Sequence, residues 1–266
     1  MTYRAILVGA LVGIVSSAWA RGGMITANFT DPSGIQLVNF NSTFATGETG
    51  GASAAIVDAT RTDSPGPGVD TLIPTNFRVF CVEVGQNIYV PQVSTFANVE
   101  LLSATQLPPY LTTNPGPDTG PVVFNNTRTT NLQKLFGAFY PGPTDVEKND
   151  AFQLALWKLA FDDDFSLALN PSNPNQRMWV DPSNNPNPAV TTDAQSYLNA
   201  IEADTGNLLP QAELALLTDP TVQDQLALIP VNNIGNVPEP MGVLMLLPMG
   251  ALVLCRRARA RGAEFA

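Results

Sequence analysis

The sequence predicts an α+β fold: a β-rich barrel or sandwich packed against a small helical subdomain of about three helices, with an N-terminal signal and a C-terminal transmembrane segment. Three observations predict it. Charged residues are 14% of 266 positions while Pro (23) and Gly (20) are plentiful, a balance suited to turns and short strands rather than long surface helices. Short apolar or alternating runs fill residues 24–102 and return at 225–231. Between 132 and 204 the apolar spacing changes to three and four, the helical period.

Residues 1–20 read as a secretory signal: Arg4 gives a basic start, residues 5–15 an apolar stretch too short to span a bilayer comfortably, and Ala18-Trp19-Ala20 a small-x-small cleavage site. Residues 21–232 then form one exported domain, and 233–266 a separate tail. Within the domain, residues 24–58 predict two or three strands broken by Gly47, Gly50 and Gly51. Residues 61–70, with Ser64-Pro65-Gly66-Pro67-Gly68, predict an exposed loop. Residues 77–84, Phe-Arg-Val-Phe-Cys-Val-Glu-Val, carry the densest strand signal in the chain and contain Cys81. Strand-like pieces follow at 87–90 and 96–102, and a Pro-rich loop at 108–121.

Leu132, Leu135, Phe136 and Phe139 predict a short amphipathic helix closed by Tyr140-Pro141-Gly142. Thr144-Asp145-Val146-Glu147 has the spacing of a capping box, and the helix after it, to about 161, places Phe152, Leu156 and Leu159 on one face. Gln153 and Trp157, four apart, share a face of that helix. Asp162-Asp163-Asp164 lacks the alternating ligands of a calcium loop and reads as a solvated turn, so no metal is expected. A third helix is expected from Thr192 to about Asp204, with Gly206 as its stop, and a last strand at 225–231.

The tail runs Val237-Pro238-Glu239-Pro240, an apolar segment at 241–255, then Arg256-Arg257-Ala258-Arg259. The arginines would hold such a segment on the cytoplasmic side of a membrane. With a signal peptide upstream, this order resembles the PEP-CTERM sorting signal of Gram-negative bacteria. The resemblance rests on Pro238, Glu239, Pro240, Arg256 and Arg257. It implies anchoring in the inner membrane during sorting, recognition by an exosortase-type protease, and a destination at the cell surface or in the exopolysaccharide matrix of a biofilm.

Charge and composition exclude several functions. Residues 21–240 hold eight basic against twenty-two acidic side chains, a net of −14 that repels nucleic acid. The chain has no histidine, which removes Ser-His-Asp and Cys-His catalysis. Glu83 and Asp150, as paired carboxylates of a polysaccharide hydrolase, form no motif. No enzyme and no cofactor are expected.

Cys81 is the one thiol of the domain, since Cys255 lies in the tail, and a lone thiol in an exported domain needs a role. Phe80-Cys81-Val82 and Phe152-Gln153-Leu154-Ala155-Leu156-Trp157 resemble the two motifs of bacterial thioester domains of surface adhesins, over roughly residues 76–200. That resemblance implies a thioester between Cys81 and Gln153, shielded by Phe80 and Trp157, which couples the protein to an amine or hydroxyl on a neighbouring surface or matrix. The alternative is that Cys81 is a small buried hydrophobe, Gln153 an ordinary amide, and the chain a non-reactive structural protein of the matrix.

Overall fold

The computed structural model describes residues 23–30, 36–42, 49–54, 56–66, 68–82, 92–102, 124–141, 145–173, 175–181, 187–208, 212–219 and 222–230. The signal, the sorting tail with Pro238, Glu239, Pro240, Arg256 and Arg257, Glu83, the 87–90 strand and the 108–121 loop lie outside them. Six antiparallel strands close a barrel: β1 (Gly23–Thr30), β4 (Ile56–Arg61), β5 (Asn76–Cys81), β9 (Val222–Ile229), β8 (Glu213–Asp219) and β6 (Gln92–Leu101), in that order around the wall. A second sheet, in the order β3 (Thr49–Ala54), β2 (Gln36–Ser42), β7 (Met178–Trp179), is separate. Among the described residues three helices complete the α+β fold: α1 (Asn126–Phe139), α2 (Val146–Phe161) and α3 (Pro188–Glu202). Of the two expected β architectures, the barrel is the one observed.

Strand alternation divides the apolar residues between two cores. Ile25, Ala27, Phe29, Val79, Phe96 and Ala227 are fully buried inside the barrel, where Phe29 and Phe96 meet edge to face at 5.9 Å. Residues of the opposite parity, such as Ile56, Phe80, Leu216 and Leu226, face outward and join the helices in one continuous cluster. The barrel wall is thus apolar on both faces around Ile56 and Phe80, while Asp58 and Arg78 pair on the outer face one step further along β4 and β5.

The centre of that outer cluster is α2, which packs against α1, α3, the three-stranded sheet and β4. The one-sided helix expected from Phe152, Leu156 and Leu159 is corrected here: every residue from Asn149 to Phe161 is buried. A helix apolar around its whole circumference has no solvent face to offer. Its cap is also shifted by one position, with the Asp145 carboxylate accepting from the Lys148 N–H at 3.2 Å.

Burial forces compensation at Lys158, whose side chain is fully enclosed. Its Nζ lies 2.6 Å from Asp162 Oδ2 and 2.7 Å from Asp164 Oδ1, and donates to the Met178 carbonyl at 3.0 Å. Asp162 also accepts from the backbone N–H groups of Arg177 (2.6 Å) and Met178 (3.0 Å). The solvated turn expected at 162–164 is therefore corrected at Asp162, a buried anchor that ties β7 to the end of α2. Among the described residues no acidic, Cys or His cluster is arranged to hold a metal ion.

The loop after β4 departs from expectation for the same reason. Arg61 donates to Asp63 at 2.8 Å, to the Asp70 carboxylate at 2.8 Å and to the Asp70 carbonyl at 2.6 Å. Asp70 is fully buried in a short 3-10 turn (Val69–Leu72) and receives the N–H groups of Gly66 and Gly68. Its carboxylate fills the space beside Gly23, so that a Cβ at Gly23 would collide with it.

Three further boundaries differ from the sequence reading. Asn125 caps α1, so that helix starts a turn or more before its first predicted apolar residue. Pro188 opens α3 one turn ahead of Thr192, as suits a proline in the first turn. That helix ends at Glu202, and Gly206 serves the following turn, at φ 105°, where Asp204 Oδ1 accepts three successive N–H groups. No helix among the described residues is long and apolar enough to cross a membrane.

Candidate functional site

β4 and β5 pair in a register that places Ile56 opposite Phe80, and Cys81 lies one residue beyond this last described pair. Val82 donates across to Asp224 of β9 at 3.0 Å, and alternation turns the N–H and C=O of Cys81 the other way, to the β4 side of the strand. Two buried backbone groups there need partners.

Gln153, on the second turn of α2, supplies them. Its Oε1 accepts from the Cys81 N–H at 3.1 Å, and its Nε2 donates to the Cys81 carbonyl at 2.7 Å. One side-chain amide thus pairs with the backbone of Cys81 as a peptide group would. Trp157, one turn further along α2, donates Nε1 to the same carbonyl at 2.8 Å and uses its second lone pair. Gln153 is fully buried, Trp157 is 1% exposed and Cys81 4%. By bond lengths and these hydrogen bonds, Gln153 Cδ lies roughly 4 to 5 Å from Cys81 Cα.

The cysteine side chain follows the alternation of β5. Val79 and Cys81 share one face, and Cys81 pairs with Gln225 directly across in β9. Gln225 Nε2 donates to Cys81 Sγ at 3.7 Å. Phe80 points to the other face, where its ring meets Phe136 at 4.9 Å, Phe152 at 5.0 Å and Tyr140 at 5.7 Å. Of the residues predicted from sequence, Cys81, Gln153 and Trp157 converge at hydrogen-bond distance, while Phe80 belongs to an aromatic cluster behind the strand.

Two polar residues lie one turn N-terminal to Gln153. Asp150 is 1% exposed and Asn149 7%, and among the described residues neither Asp150 Oδ2 nor Asn149 Oδ1 has a hydrogen-bond partner. Burial pushes the Asp150 carboxyl up to about 8. In the sequence Asp150 stands out only as half of a carboxylate pair with Glu83, and Gln225 is one of three adjacent polar residues at the start of its strand. The signal for Gln225 is its period-two spacing with Ala227 and Ile229, which puts it on their inward face.

No family model matches the chain, and no curated protein matches it. Among solved structures, the N-terminal thioester domain of a surface protein from Clostridium perfringens is similar to it at 13% identity, covering 76% of this chain and 97% of that one, with a TM-score of 0.39.

Proposed function

We propose that the chain is an exported, surface-sorted protein that acts as a covalent adhesion or matrix tether through an internal thioester between Cys81 and Gln153. The observation that carries the reading is the buried side-chain amide of Gln153 held against the cysteine backbone by two hydrogen bonds. In the bond-forming step Cys81 Sγ attacks Gln153 Cδ, the Cδ–Nε2 bond breaks, and the thiol proton leaves with Nε2 as ammonia.

The hydrogen bonds suit the product as well as the precursor. Oε1 stays, so the Cys81 N–H remains as a donor to the thioester oxygen and polarises the carbonyl. Nε2 departs, yet the Cys81 carbonyl keeps Trp157 Nε1. An amine or hydroxyl from a neighbouring surface or matrix then displaces Sγ and becomes joined to residue 153. Each molecule reacts once, so this is a tether and not an enzyme. Burial of Gln153 and Trp157 keeps water from the bond.

The sorting tail completes the proposal: an exosortase-type protease would act at Pro238-Glu239-Pro240 after the 241–255 segment has engaged the inner membrane, delivering the domain to the surface or matrix of a Gram-negative cell. One observation favours the second reading, a non-reactive matrix protein: both amide atoms of Gln153 are hydrogen-bonded to the Cys81 backbone, which is a sufficient structural role. Labelling the full chain with a fluorescent primary amine separates the two. The tether predicts label on the peptide containing residue 153, absent in Cys81→Ala; no label on the native protein favours the matrix reading.

A further inference from the structure

We propose that Asp150, with Asn149 beside it, receives a primary amine and handles its proton in acyl transfer at Gln153, so that the tether is directed to amines such as lysine side chains. This rests on the thioester reading. A helical side chain leans over the turn N-terminal to its own Cα, which for Gln153 is the turn of Asn149 and Asp150 at i−4 and i−3. Both present a buried oxygen without a partner among the described residues, and such groups call for an explanation. Two acceptors match an ammonium, which has three donors and no acceptor, better than a hydroxyl, which has one donor.

The chemistry balances without a further reagent. Asp150 as carboxylate takes one proton from the bound ammonium, leaving a neutral amine. The amine nitrogen attacks Cδ, the Cδ–Sγ bond breaks, and Cys81 Sγ leaves as thiolate. The amine's surplus proton passes to the sulfur, with Asp150 as carrier. Amide at residue 153 and free thiol at Cys81 are the products. Ammonia release during thioester formation is the same transfer in reverse, with ammonia in place of the amine.

Other charged groups are engaged elsewhere. On α2 itself, Asp145 and Lys148 pair with each other at 3.0 Å and Glu147 is exposed. On the packed elements, Arg128 pairs with Asp163, Lys134 with Asp204, Arg78 with Asp58, and Arg61 with Asp70. Asp193 of α3 acts on Lys148 and Tyr197, and Glu202 closes the exposed end of that helix. Burial alone raises the Asp150 carboxyl to about 8, with no charged neighbour offsetting it.

The test uses the full chain in mild detergent and methylamine as the probe, with the thioester followed by intact mass. Asp150→Asn keeps the shape and removes the ionisable group. The expected result is aminolysis slower by about 100-fold, or a folded variant that never forms the thioester. Wild-type aminolysis provides a readout that a packing role would not move: per free methylamine, the rate falls as pH rises above about 8, where the carboxyl ionises. If Asp150→Asn does not fold, that profile decides alone. A wild-type thioester whose aminolysis per free amine does not fall above that pH, or is unchanged in Asp150→Asn, overturns the role of Asp150 and leaves the tether standing. A wild type with no thioester overturns both.

Discussion

The side-chain amide of Gln153 pairs with the backbone of Cys81 as a peptide group would, accepting from its N–H at 3.1 Å and donating to its C=O at 2.7 Å. Any thioester would grow out of a contact the fold already needs. Gln153→Glu sets a carboxylate oxygen against the Cys81 carbonyl, and its expected cost is about 2–4 kcal/mol in chemical denaturation at neutral pH. Cys81→Ala leaves the backbone contacts intact and should cost about 1 kcal/mol, so the contact with Gln153 survives without the sulfur.

Asp150 links stability to pH. Its carboxyl has an ordinary value of about 3.8 in the unfolded chain and is raised to about 8 in the fold. Between these values the folded state holds a proton that the unfolded state has lost. Stability is full below the lower value and falls by up to about 1.4 kcal/mol per pH unit until the higher one. Denaturation midpoints across that window should show a slope that Asp150→Asn flattens.

Lys158 is expected to be among the least replaceable charges. Lys158→Met removes the ammonium that neutralises Asp162, which stays buried, and the loss should reach about 3–5 kcal/mol by urea unfolding. Replacing Lys158 and Asp162 together by apolar residues should recover part of that loss, because the fully buried carboxylate is then gone and the one left without its ammonium, Asp164, is partly exposed.

At Gly23 the barrel meets the Asp70 carboxylate, itself fixed by Arg61, Gly66 and Gly68. Gly23→Ala forces that network apart, with an expected loss of about 1–3 kcal/mol in a thermal melt. The double variant Gly23→Ala with Asp70→Ala should not restore stability, since Arg61 then lacks its buried partner.

Local patterns made part of this legible in the sequence. The strand of Phe77 to Cys81 and the helix of Gln153 and Trp157 follow from propensity and period, and their pairing came from motif resemblance. The hydrogen bonds between the Gln153 amide and the Cys81 backbone were not legible, because they depend on how α2 packs against the edge of β5 in a closed barrel. Strand β8 went unread because Glu213-Leu214-Ala215-Leu216-Leu217 serves a helix as readily as a strand until barrel closure decides. Asp162, Asp70 and Lys158 look like surface charges in the sequence; their burial depends on partners brought from β7, from the glycine loop and from β4. Gln225 acquires meaning only through its cross-strand position opposite Cys81.

The most direct measurement is the intact mass of the purified full chain under non-reducing, nucleophile-free conditions. The thioester account predicts a mass about 17 Da below that of the same chain with Cys81→Ala after correction for the substitution, and a rise of about 31 Da on methylamine treatment. A mass with no ammonia missing, together with a Cys81 thiol that titrates fully on unfolding, would contradict it.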